Sequence, residues 1–524
     1  MKRTLMIFTV VLNCSMIFSQ TIFDALKSTE NDINGTARYS GMAGAFGALG
    51  GDPSAVKDNP AAIGVYRKSE FTATIDALMQ GSASNWNENI VTDSKYGLGL
   101  NNISLVLASP TWRSESGYSG LLSSNFSFAY NKLKNFNRNL YVESNPVNSS
   151  MTDYFAYFSG SIPNNQLEWD NYPQNNYTNP FNDYGLPWMS VMAHYGRLIN
   201  PVYNTSNEFV GYGSLLEGGE NVTPSYTLTE RGSINEYSLG WSGNFSNKFF
   251  FGATFNIQSI DYRADSKYDE AFGNGGGMTL DNTVTTKGNG INANLGIIAV
   301  PVDFLRLGFS LHTPMFYSMT TRNSSTLSFN SSVTGNVESP ENFIDYQLQT
   351  PMQLNASAAF IFGKKGLISA EYVFSNNKGM KMLDDTGNAQ VYQDDNKDMG
   401  NMLNNSRTIK IGGEYKLTDN FSLRLGYANT SAITNSTAAK LMIPNTTRTD
   451  PEYFQHLRTD YTTAGFGYRE ANWYIDFAYM FKLLYENYYA FNSTSTEFNQ
   501  AYATKPALVL TNNNNLIITL GLKF

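Results

Sequence analysis

Few residues of this chain could do chemistry, and none is spaced for catalysis. There are three histidines, His194, His312 and His456, and one cysteine, Cys14. No Ser/His/Asp grouping follows from their spacing, and no His/Cys/Asp/Glu cluster has metal-ligand spacing. No enzyme, metal or cofactor is therefore expected. What remains is charge at alternating positions. Across a turn at Thr418-Asp419-Asn420, Glu414 falls opposite Arg424, where opposite charges attract across a strand pair. With Arg306 and His312 they make a candidate lumenal polar network. The pair reads either as part of a gate or ligand-carboxylate site, or as a cross-strand ion pair that anchors what lies inside. His312 sits at a strand end, since Thr313-Pro314 follows it and proline cannot continue a ladder. A second candidate is apolar. Trp188, Val191, Met192 and Tyr195 recur at spacings of three and four, the stripe of an amphipathic helix. Met and aromatic residues suit an external capture groove, and they suit equally a small core for their own loop.

The elements that would position these residues are strands. Only 15% of the 524 residues are charged, against roughly 25% in average soluble domains, and 14% are aromatic. The aromatics must be buried or face lipid, which excludes a disordered chain. The net charge of −8 offers no footprint for nucleic acid. After the first twenty residues no apolar run reaches about 18 residues, so transmembrane helices are excluded. From Phe71 onward the chain repeats about ten alternating residues and a turn. In one segment Phe249, Phe251, Ala253, Phe255 and Ile257 share a face, and Gly252, Thr254, Asn256 and Gln258 take the other. Fourteen such segments run from 70–79 to 515–524, with lumenal charges that include Asp76, Glu236, Glu371, Lys410 and Asp476. Short turns alternate with long loops at 80–100, 132–232, 261–288, 313–351, 376–405, 429–458 and 482–514. That alternation, with an even strand count, predicts an all-β transmembrane barrel in a Gram-negative outer membrane, surrounded by lipid. Residues 70–524 form the barrel and 132–232 its largest external loop.

The N-terminus reads as an address. Lys2 and Arg3 precede the short apolar run Leu5 to Phe18, and Ser19-Gln20 closes it, so 1–19 is predicted to be a cleavable signal peptide. Cys14 leaves with it; a lipid-modified Cys14 is the rival reading. Residues 20–69 break the strand pattern. Gly41, Gly44, Gly47 and Gly50 recur every third residue, Asp52-Pro53 opens a short helical stretch, and no phosphate loop is present. Small residues at this density pack backbone against backbone, which predicts a helical hatch plugging the lumen.

Gly35-Thr-Ala-Arg-Tyr39, Gly41-Met-Ala-Gly-Ala-Phe-Gly47, Gly51-Asp-Pro-Ser-Ala-Val56 and Asp58-Asn-Pro-Ala61 carry a family likeness. Together with Arg306-Leu-Gly-Phe-Ser-Leu-His-Thr-Pro314, Phe362-Gly-Lys-Lys-Gly-Leu367 and Leu417-Thr-Asp-Asn-Phe-Ser-Leu-Arg424, they make the chain resemble the FadL/TodX outer-membrane transporters, in their Bacteroidota branch. The resemblance implies a fourteen-stranded barrel with an N-terminal hatch, in which Asn59, Pro60 and Ala61 form the hatch motif. It implies passive uptake of hydrophobic small molecules such as long-chain fatty acids. Ligand would pass between hatch and wall and leave sideways beside a kinked strand. Some relatives instead serve secretion complexes, so the alternative is a scaffold or adaptor with outer-membrane protein partners. Fold likeness alone does not choose between them.

Overall fold

The alternating segments become strands of up to 26 residues, far longer than the period suggests. The computed structural model describes residues 22–111, 119–168, 179–182, 185–216, 220–440, 442, 446–492 and 505–524. The expected signal peptide lies outside them.

Fourteen antiparallel strands close on themselves. They are β1 (Glu70–Trp86), β2 (Asn89–Leu107), β3 (Leu121–Asn135), β4 (Val222–Phe245), β5 (Phe249–Phe272) and β6 (Gly277–Val302). Two interrupted strands follow, β7 (Leu305–His312 and Phe316–Asn330) and β8 (Asn342–Gln349 and Gln353–Phe362). The last six are β9 (Gly366–Ser375), β10 (Ser406–Lys416), β11 (Phe421–Thr430), β12 (Tyr453–Arg469), β13 (Trp473–Tyr489) and β14 (Ala507–Lys523). β14 pairs with β1 (Phe71↔Leu522), which removes the open edge that lipid could not satisfy.

The outward face of β5 changes character with height. On β5, Phe249, Phe251, Phe255 and Ile257 are exposed, forming the lipid band with Leu239, Trp241, Leu516 and Leu520 of neighbouring strands. Beyond Ser259 the same face carries Asp261, Arg263, Asp265, Lys267 and Asp269. The inner face changes the opposite way, from Thr254, Asn256 and Gln258 to the buried Tyr262, Tyr268 and Phe272. Low on the barrel the wall is apolar outside and polar inside. Above the membrane it is charged outside and apolar inside. A membrane strand of 9–11 residues therefore continues into a water-facing strand with its own core.

Three expected loops are corrected accordingly. Residues 80–100 are a hairpin on Asn87 and Glu88, both at positive φ, the pattern of a tight two-residue turn. Most of 261–288 and 313–351 is strand. The region 132–232 keeps only its middle as an excursion, since β3 runs to Asn135 and β4 starts at Val222. That excursion folds into a dome over the barrel, with a helix at Met151–Ser159 and another, α1, at Trp188–Tyr195. The expected stripe is there, but as core rather than groove. Trp188, Val191 and Met192 are buried in a cluster with Trp86, Tyr154, Phe155 and Phe491, and the Trp188 indole donates to the Phe181 carbonyl. Only Tyr195 is exposed, edge-on to Phe329. Burying that stripe stabilises the dome more than an open groove would, because each large apolar side chain gains ~1.5–3 kcal/mol on burial.

Candidate functional site

Residues 22–69 lie inside the barrel and touch its wall over their whole length. A short helix at Ala37–Gly41 starts on Thr36, whose hydroxyl accepts from the Tyr39 N–H. Asp52 caps the 3-10 turn Pro53–Lys57, and Asn59 caps Pro60–Val65, each with proline just inside. The wall makes room by omitting side chains. A Cβ on Gly252 would sit 2.3 Å from the Pro60 carbonyl carbon, one on Gly308 2.5 Å from the Gly47 oxygen, and one on Gly412 2.4 Å from the Met42 oxygen. Asn59, Pro60 and Ala61 thus form a seat. The Asn59 amide donates to the Gly47 carbonyl at 2.7 Å and the Ile297 carbonyl at 3.2 Å, tying hatch to β6.

Of the four polar residues expected in the lumen, Glu414, Arg306 and His312 bond the hatch, Arg424 bonds Glu414, and Arg306 and His312 join neither of that pair. Glu414 and Arg424 are register partners, as the turn predicts, 2.7 Å apart. They belong to a buried chain that sequence reading missed: Arg38 of the hatch meets Glu414 at 2.9 Å, and Arg424 meets Asp476 at 2.7 Å. Through Arg38 this chain of charges joins the hatch to β10. Arg306 lies apart and donates to the Leu49 carbonyl at 2.5 Å. His312 is at the strand end, where its Nε2 donates to the Asp58 carbonyl at 2.8 Å, a bond shared with Ser310 and Asn355.

Between hatch and wall a cavity of about 210 Å³ remains. Residues Ser28 to Ile33, Tyr39, Lys57 and Asp58 line it from the hatch, and Asn292, His312, Gln353, Lys410 and Lys482 are among those facing them. It lies level with two matching breaks, Thr313-Pro314-Met315 and Thr350-Pro351-Met352, where the Met315 N–H donates to the Thr350 hydroxyl in place of a ladder bond. A smaller cavity of about 100 Å³ sits above, walled by Phe23, Leu26, Leu228 and Phe454; Glu30 and His456 line both. Segment 28–33 has no motif, so its part in the cavity was not legible in the sequence.

Among the described residues, the ladder between β2 and β3 stops short. β2 pairs with β3 only from Asn102↔Asn131 to Leu107↔Phe126. Above that pair β2 flares outward, and among the described residues its 89–101 stretch has only β1 as a ladder partner. β3 turns inward through a register shift at Lys132–Lys134 and continues as Arg138–Glu143, whose carbonyls accept from Ser82 and Ser84 of β1. The seam opens at the height of the lipid band. Gly97 of β2 has nothing within 4 Å of where a Cβ would stand, and Leu98 is 90% exposed. A groove of about 510 Å³ on the lipid side includes Gly97, Leu98, Met79 and Leu516. Inside, the cavity wall reaches Leu133 and Lys134, in the register shift itself.

Two hatch carboxyls respond to pH in opposite senses. Burial pushes Asp32 up, but Lys134 and Lys482 outweigh it and hold it at about 2. Burial pushes Asp52 up to about 6, because Arg38 and the Thr36 hydroxyl compensate it only in part. An unfolded Asp titrates near 3.9, so the docked hatch binds the extra proton at Asp52 between about pH 4 and pH 6. Stability from Asp52 therefore falls as pH rises through that window, by on the order of 2–3 kcal/mol. Asp52→Asn keeps the cap and removes this loss. Its thermal midpoint should exceed the parent's above about pH 6 and match it near pH 4; a constant offset at both would refute the assignment.

No family model and no curated protein matches the sequence. Solved structures do. The Pseudomonas putida toluene transporter TodX matches with a TM-score of 0.50 at 12% identity, over 94% of this chain and 99% of that one. A Pseudomonas aeruginosa FadL homologue matches with a TM-score of 0.49 at 13% identity, over 95% of this chain and 100% of that one. At these identities the likeness is one of fold, and it coincides with the closed strand count and the lipid band found above. The chain is an outer-membrane β-barrel with a fold similar to that of TodX.

Proposed function

We propose that this barrel is a passage and not a catalyst: it admits hydrophobic small molecules from outside and releases them sideways into the outer membrane. The class includes the long-chain fatty acids of the family resemblance and the toluene of the Pseudomonas putida neighbour. One observation carries the reading. The β2–β3 ladder ends at Asn102↔Asn131, within the lipid band, and the hatch-side cavity reaches the adjacent Leu133 and Lys134. A membrane barrel has reason to leave hydrogen bonds unmade in lipid only where something must pass, because each unsatisfied backbone group there costs several kcal/mol. Cells making the protein should accumulate labelled apolar compounds faster than cells with an empty vector. Equal rates for both linear and aromatic probes would refute the passage.

A second reading has its own support. The free edge of β2 continues above the lipid band to Ile90, which is 67% exposed. An unpaired strand edge is a template for a partner's strand, as a scaffold in an outer-membrane complex would need. Stable co-purification of a partner, lost when Ile90 and Thr92 become proline, would favour it.

A further inference from the structure

The seam says where a molecule could leave; the cavity wall says what kind of head group it can carry. Four lysines and four carboxylates line the larger cavity, and none of the lysines is free. Lys134 meets Glu30 at 2.9 Å and Asp32 at 3.5 Å, and Lys482 bonds Asp32. Lys410 lies between Glu371 at 2.9 Å and Asp58 at 3.4 Å. Lys57 donates a hydrogen bond to the Asn34 carbonyl and stands 4.6 Å over the Tyr39 ring. Burial lowers its hold on the proton, and Lys410 adds to the effect. The histidines are engaged too: His312 on the Asp58 carbonyl, and His456 through Nδ1, which accepts from the Ile433 N–H at 3.3 Å and so carries no proton. An incoming carboxylate would find three of the four lysines already paired with carboxylates, only Lys57 held by neutral groups, and four like charges in the wall.

The rest of the wall is amides and hydroxyls, among them Asn292, Asn294, Gln353, Asn355, Ser375 and Thr408. Some of these groups have no partner. Asn355 is 3% exposed; its amide nitrogen serves Asp58, and its Oδ1 accepts nothing. The same holds at the seam, where both side-chain polar atoms of Asn101, the Asn131 nitrogen, the Gln80 nitrogen and one Asp76 oxygen are buried and unbonded. A pure hydrocarbon would offer this wall of amides and hydroxyls no hydrogen bond. A site built to hydrogen-bond a hydroxyl or amide rejects analogues lacking it strongly, because its own groups are then stranded.

We infer that the molecule using this cavity and seam carries an uncharged hydrogen-bonding head, a hydroxyl or an amide, on an apolar tail, and that neither a free carboxylate nor a bare hydrocarbon is its preferred cargo. This rests on the passage reading above and narrows it. The test is a competition at equal chain length. Lipid-stripped protein in nanodiscs, with empty nanodiscs as reference, is equilibrated with decanol, decanamide, decanoate and decane together at about pH 8, where the acid is ionised. Retained compounds are then measured by gas chromatography and mass spectrometry. Decanol and decanamide should be enriched about tenfold or more over both others, and Asn355→Leu should reduce that enrichment while the heat-dependent gel mobility of the folded barrel persists. Decanoate or decane retained as well as decanol overturns the head-group inference and leaves the passage standing. Retention of all four no better than by empty nanodiscs overturns the passage itself.

Discussion

Arg424→Leu is expected to destabilise the docked barrel by ~3–5 kcal/mol, the largest effect of any single lumenal change. The guanidinium is wholly buried and bonds Glu414 and Asp476, each at 2.7 Å. Removing it leaves Asp476 with one contact, to Arg469 at 3.4 Å, and leaves Glu414 to Arg38 alone. Breaking a buried network on one side strands charge, which costs more than the pair ever contributed. Asp476 is the stranded charge, whereas Glu414 is still needed by Arg38, so Arg424→Leu with Asp476→Asn should recover part of the loss and melt above the single variant. The midpoint of the heat-dependent gel shift reads this directly. A single variant as stable as the parent would mean that the network does not anchor the hatch.

Gly97→Trp is the second. Nothing lies within 4 Å of where a Cβ on Gly97 would stand, so a side chain can be added there at the seam. Uptake of an apolar probe should fall by about tenfold or more while folding is unchanged, because the width of a constriction controls passage. Leu98→Trp, one residue along and facing lipid, should leave uptake near the parent's. If both variants transport equally well, the exit is elsewhere. If both fail, the effect is on the strand and not on the opening.

Much of the fold was legible because a closed barrel imposes period two on every strand that meets lipid. All fourteen strands fall where the alternation puts them, and the Glu414–Arg424 register follows from one turn. The strand ends were not read, although their signal is visible. From Asp261 to Asp269 every second residue is charged, and the intervening positions include Tyr262 and Tyr268, so the period continues while its polarity reverses. Looking for one apolar face cannot follow a strand whose apolar face changes sides. The hatch was legible through its motifs, but its ion pairs join Arg38 to Glu414 across 376 residues and Lys134 to Glu30 across 104, and no local pattern encodes such pairings. The seam was invisible for the same reason. Residues 89–101 look like an ordinary loop, and what sets them apart is a neighbour that turns away.

That reversal on β5 also fixes the barrel's depth. A bilayer a few ångströms thicker would submerge Asp261 and Arg263; a thinner one would leave Phe255 and Ile257 in water. Tilting offers little relief, since β5 is laddered to β4 and β6 along its height and moves only with the closed wall. The protein is in effect a gauge, to which the surrounding lipid must adjust its own thickness. The seam is thereby held at one level of the membrane, so a molecule leaving through it always enters at the same depth.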